Sequence, residues 1–179
     1  MQDSTFRHVG SAVPVANLSG ASVLITRNYS QDVFDVMDAA GLLNSRFEFS
    51  FNTVEGATWA GGWLYDEPSV AGSMVTQTTS SEILVNNNVI SGLNGVYLDS
   101  TFTGGSTCRV VSNNFPNVTD VGIYLGVGTS HCLVMGNSKT TIENLGKDNV
   151  IVKRGFDIGA VGRVAVFAGR RPNTLNKSE

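Results

Sequence analysis

Leu84-Val85-Asn86-Asn87-Asn88 before Gly95-Val96-Tyr97-Leu98, then Val110-Val111-Ser112-Asn113-Asn114 before Gly122-Ile123-Tyr124-Leu125, decide the fold of this chain. Each pair couples a short apolar strand ending in asparagine to a second strand led by glycine. Working outward, the pattern returns three more times. Leu24-Ile25-Thr26-Arg27-Asn28 precedes Val33-Phe34-Asp35-Val36, and Glu48-Phe49-Ser50-Phe51-Asn52 precedes Gly62-Trp63-Leu64-Tyr65. Leu133-Val134-Met135-Gly136-Asn137 is read as leading to Asn149-Val150-Ile151-Val152. The asparagines fall at positions 28, 52, 88, 114 and 137, steps of 24, 36, 26 and 23. A period in the twenties with strand alternation describes a solenoid of stacked coils.

Strand alternation assigns inward residues two apart: Val23 and Ile25, Phe47 and Phe49, Ile83 and Val85, Arg109 and Val111, Cys132 and Val134. Arg109 breaks the apolar rule, which requires a local shift or a guanidinium reaching the coil edge. Each asparagine is expected at a tight bend, where Asn tolerates the left-handed backbone region. Its amide is expected to bond the amides one coil above and below, at about 1 kcal/mol net per bond. A short apolar piece follows: Val54, Val89-Ile90, Phe115 or Ile142. Helix signals are nearly absent; the best candidate, Gln31 to Leu43, suits a buried strand equally well.

The expected organisation is a parallel β-helix over residues 1–155, capping strands over 156–169 and a flexible tail over 170–179. Phe6, Val9, Val13, Val15 and Asn17-Leu18-Ser19-Gly20 read as the second part of a coil lacking its first strand. The helix is therefore expected to start mid-coil, cut from a longer one or capped by a partner. The 36-residue step holds an extra loop within 67–79, a natural place for binding or subunit contacts.

The chain has 179 residues, enough for one domain with a continuous core. Net charge is −3 with only 15% charged residues, which argues against a nucleic-acid partner. No apolar run approaches the ~20 residues that span a bilayer, so no membrane partner is expected. The first residues, Met1-Gln2-Asp3-Ser4-Thr5, lack the regions of a signal peptide. A surface filled by Ser, Thr, Asn and Gly suits extracellular or virion-associated β proteins. Cys108 and Cys132 open consecutive repeats, three residues before Val111 and two before Val134. Alternation then points them to opposite faces and favours free thiols, with a disulfide as the alternative.

The form Val-x-x-Asn … Gly-Val-Tyr-Leu at 85–98, echoed with Ile at 111–125, resembles the right-handed parallel β-helix of the pectate-lyase-like superfamily. That superfamily includes pectate lyases, polygalacturonases, alginate epimerases and phage tailspike depolymerases. The resemblance covers about residues 5 to 155 and implies an all-β right-handed parallel β-helix of about 6–7 coils. It also implies that the glycine-led strands line a substrate groove. The paired aspartates and later Gly-His of polygalacturonases are not in this chain, nor is the acidic calcium cluster of pectate lyases.

If Val96 and Leu98 point inward, Tyr97 and Asp99 point out, and Tyr124 stands beside Tyr97 one coil along at about 4.8 Å. Tyr65 and Asp35 are expected to extend this column, making Tyr65, Tyr97, Tyr124 and Asp35 the substrate-binding candidates. Asp66 and Asp99, roughly 5–8 Å apart on neighbouring coils, suit an acid and a nucleophile or base in a glycosidase. The competing readings are a subunit interface for the tyrosines and turn-capping for the aspartates. Glu48 and Glu55 are further carboxylates, while His8 and His131 are too few and too scattered for a metal site. No cofactor is expected. The expected function is a carbohydrate-binding or polysaccharide-degrading β-helix protein with a glycan partner. The alternative is a non-enzymatic structural or adhesive module forming a homotrimer.

Overall fold

A computed structural model describes residues 1–8, 11–32, 35–59, 63–65, 77–152 and 166–168. Among these are nineteen strands and no helix. Seven strands form one sheet and twelve the other, and consecutive members of each sheet lie parallel. The exception is Val150–Val152, which runs antiparallel to Val166–Ala168. The stretch considered for a helix instead holds the strands Tyr29–Gln31 and Asp35–Leu43. Among the described residues, no helix is long and apolar enough to cross a membrane.

The seven-stranded sheet takes one strand from each successive copy: Ser22–Thr26, Arg46–Ser50, Glu82–Asn86, Thr107–Val111, Cys132–Met135 and Val150–Val152. Register sets residues of like kind on top of one another. Val23, Phe47, Ile83, Cys108 and Cys132 form one inward column. Ile25, Phe49, Val85, Val110, Val134 and Ile151 form the next. Facing them from the twelve-stranded sheet are Val96, Leu98, Ile123 and Leu125, with Val54, Ile90 and Phe115 closing the side, and all seven are buried. One continuous core results, and the arrangement is that of a β-solenoid.

The amide ladder is present but shifted at one rung: it runs through Asn28, Asn52, Asn88, Asn113 and Asn137, not Asn114. From Asn52 onward, each Oδ1 accepts from the backbone N–H and the Nδ2 of the asparagine on the preceding coil, as Asn113 does from Asn88 at 3.0 and 2.9 Å, while Asn28 Oδ1 accepts from Ser4 N–H. The Nδ2 groups of Asn52, Asn88, Asn113 and Asn137 also reach a carbonyl on the preceding coil, as Asn113 does at Val85 O, 2.9 Å. The side chain thus uses both donors and both lone pairs in the interior. The left-handed bend falls on the residue before each ladder asparagine and not on the asparagine itself, at Arg27, Phe51, Asn87, Ser112 and Gly136. Asparagine is therefore selected for its amide, and the preceding residue carries the backbone strain.

Moving that rung by one residue corrects two further expectations. Val110, not Val111, is the inward residue, so Arg109 points to solvent and Cys108 points inward. Cys108 is then in register with Cys132 and bonded to it, with Cα atoms 4.4 Å apart. The two cysteines share one face and form a buried disulfide; they are not free thiols. A separate correction concerns the fifth copy. Ile142 pairs with Ile123, so Ile142–Asn144 is that coil's second strand. Asn149-Val150-Ile151-Val152 begins the next coil, because Ile151 pairs with Val134.

Glycine leads the second strand for a steric reason. A Cβ on Gly95 would run into the Gly122 carbonyl and the Phe115 ring, so the coils close here only without a side chain. At the opposite corner lies a second polar ladder. Ser45 N–H donates to Ser81 Oγ at 3.0 Å and Ser81 N–H to Ser106 Oγ at 3.1 Å, while the Ser45 and Ser81 hydroxyls donate to Leu43 O and Thr79 O.

Candidate functional site

Strands Val96–Asp99 and Ile123–Leu125 pair in register, Val96 with Ile123, Tyr97 with Tyr124 and Leu98 with Leu125. Because both flanking pairs are buried, alternation turns the two tyrosines outward, where each is half-buried. The rings stack with centroids 4.4 Å apart and planes 7° from parallel. Such a pair contributes about 0.5–1.5 kcal/mol beyond its buried area. Each ring covers one face of the other, so what the pair offers a ligand is its outer faces, ring edges and hydroxyls.

Tyr97 Oη donates to Asp99 Oδ2 at 3.4 Å. The Asp99 carboxylate rests over Gly126 on the following coil, where any Cβ would occupy the same space. Gly126 is thus what makes room for this carboxylate beside the tyrosines. Burial, reinforced by the Asp99 charge and by Tyr124, pushes the Tyr97 phenol up to about 12. Burial and the charges of Asp99 and Glu143 also raise Tyr124. Both hydroxyls therefore remain protonated donors well above neutral pH. A cavity of about 110 Å³ opens beside the rings, lined by Asn94, Val96, Tyr97, Asp120, Val121 and Tyr124.

The remaining candidates are placed as follows. Tyr65 pairs with Asp99 and with Ala40, one register position beyond the tyrosine pair. Trp63, immediately before Leu64, holds the position relative to Leu64 that Tyr97 holds relative to Leu98. Asp35 pairs with Ser11 and Trp59, away from that column. Asp66 lies outside the described residues, as does most of the extra loop. Glu48 sits on the seven-stranded sheet, paired with Arg46 at 3.4 Å and accepting from Ser50 Oγ at 3.0 Å. Glu55 accepts from Tyr29 Oη at 2.7 Å, His8 stands 3.8 Å from Asp32, and His131 contacts Ser130 Oγ at 3.1 Å. Among the described residues, no three His, Cys, Asp or Glu side chains are grouped to hold a metal ion.

Three residues at the tyrosine face were not singled out from sequence: Asn94, Asp120 and Glu143. Glu143 pairs with Tyr124, a position visible only once Ile142–Asn144 is recognised as the second strand of its coil. Asn94 is buried and Asp120 precedes the glycine-led strand by two residues; both depend on how the wide turn folds back. Compared with known proteins, the chain matches no family model, no curated sequence and no solved structure.

Proposed function

We propose that this chain is a right-handed parallel β-helix of about 6–7 coils, of the pectate-lyase-like kind, that binds a polysaccharide or other glycan. The observation that carries the reading is the stacked Tyr97–Tyr124 pair, with Asp99 beside it on an outward strand face. Phenol hydroxyls exchange hydrogen bonds with sugar hydroxyls, and aromatic edges and outer faces meet sugar C–H groups. In the degrading form of the proposal, Asp99 acts as one of an acid and base pair, with Asp66 as its partner. The buried Cys108–Cys132 bond fits an extracellular or virion-associated setting, where disulfides persist.

Titration of the protein with soluble oligosaccharides, followed by tyrosine resonances, tests binding. Tyr97→Ala and Tyr124→Ala are expected to abolish it, and unchanged affinity in both would end the proposal. Release of reducing ends tests degradation. Asp99→Asn is expected to stop a genuine reaction while the coil stays folded.

A second reading, a trimeric structural or adhesive module, draws on the seven-stranded sheet. Its outer side exposes Leu24, Met135 and Val150, each at least 40% accessible. Met135 and Val150 lie on neighbouring strands, Leu24 at the far end of the sheet, and a contiguous apolar patch on such a face marks an association surface. Light scattering separates the readings: a trimer favours the module, a monomer removes it.

A further inference from the structure

We infer that the Tyr97–Tyr124 face selects glycans whose contacting sugars carry no anionic group, accepting neutral or amino sugars and rejecting uronates and sulfated sugars. The inference rests on the glycan reading above and names its ligand class. Three carboxylates surround the ring pair. Asp99 touches the Tyr97 hydroxyl and is held over Gly126. Glu143 pairs with Tyr124 on the next coil, about 4.8 Å along the stack. Asp120 lines the cavity that both rings border. The carboxylate charge of Asp99 acts on both phenols, and that of Glu143 acts on Tyr124.

An anionic sugar docked on these rings brings its charge within several ångströms of two or three carboxylates. At that range, repulsion lowers affinity by about tenfold or more at low ionic strength and fades as salt rises. A neutral sugar meets no such penalty, because its hydroxyls donate to Asp99, Glu143 and the Tyr97 oxygen. An amino sugar gains further, since its ammonium pairs with the same carboxylates.

The test is calorimetric titration of the whole chain with hexasaccharides of glucose, glucosamine and galacturonate, at low and high salt. In the wild-type protein at low salt, galacturonate is expected to bind at least about tenfold more weakly than the other two, with the gap shrinking at high salt. Asp99→Asn combined with Glu143→Gln is expected to close most of the gap. The salt comparison needs only wild-type protein and stands if the variant fails to fold. Galacturonate binding as tightly as glucose at low salt overturns the selectivity and leaves the glycan reading standing. Failure of all three sugars to bind at either salt overturns both.

Discussion

Adjacent asparagines in one coil give the sharpest test of what holds the stack together. Asn113 is buried, and its amide makes four hydrogen bonds. Asn114, next to it, is half-buried, and its carbonyl oxygen accepts from the exposed Ser138 hydroxyl at 2.8 Å. Asn113→Ala leaves the Asn88 N–H without its acceptor in the interior, which costs about 1–3 kcal/mol. It also removes the bonds to Val85 O, Asn88 Nδ2 and Asn137 Oδ1, at about 1 kcal/mol each before relaxation. Allowing for relaxation, a total of about 4 kcal/mol is expected. Set against a domain stability of about 5–15 kcal/mol, this is a large fraction. At a slope of about 2 kcal/mol/M, it lowers the urea midpoint by about 2 M. Asn114→Ala loses one exposed bond and is expected to cost less than about 1 kcal/mol. Urea unfolding followed by far-ultraviolet circular dichroism, with an unchanged slope, reads both. Equal costs, or a larger cost for Asn114→Ala, would refute the ladder reasoning.

Other perturbations probe separate parts of the structure. Cys108→Ala with Cys132→Ala removes a link across 24 residues and is expected to cost about 3 kcal/mol, seen as a lower unfolding midpoint; no change would place the cysteines apart. Gly95→Ala drives a methyl into Gly122 O and the Phe115 ring and is expected to cost about 2 kcal/mol or more in the same assay. Absorbance titration at 295 nm is expected to show one of the four tyrosines ionising near pH 12, a step that Tyr97→Phe removes and Asp99→Asn moves lower. Because the folded phenol holds its proton more tightly than the unfolded one, stability is unaffected below about pH 10 and falls as pH rises through the folded value. A Tyr97 titrating at the ordinary tyrosine value would contradict its placement between Asp99 and Tyr124.

The coil repeat and most inward columns were legible because β-branched or aromatic residues two apart mark the inside of most first strands, even where a neighbour such as Leu84 is buried as well. The slip at Asn113 has a local cause. Ser112-Asn113-Asn114 offers two asparagines in succession, and only one carries an amide that lines up with Asn88. Arg109 was itself the warning: turning it outward moves Val110 and Cys108 inward together and brings Cys108 beside Cys132. The fifth coil was misread because it closes in fewer residues. Val134 pairs with Ile151 across a separation of 17, where the earlier coils span 24 to 36. That shorter coil hid Glu143 beside Tyr124. The serine ladder left no signal, since Ser45, Ser81 and Ser106 look like ordinary turn residues. Tyr97, Tyr124 and Asp99 were readable from strand parity alone, whereas Tyr65 required the exact register across the long 36-residue step.

Nuclear Overhauser contacts among backbone protons of the first strands test the stacking most directly. Parallel cross-peaks are expected linking Phe47 to Ile83, Ile83 to Cys108 and Cys108 to Cys132, each across one coil. Close Hα–Hα contacts joining Glu82–Asn86 to Val89–Asn94 as an antiparallel hairpin would contradict it.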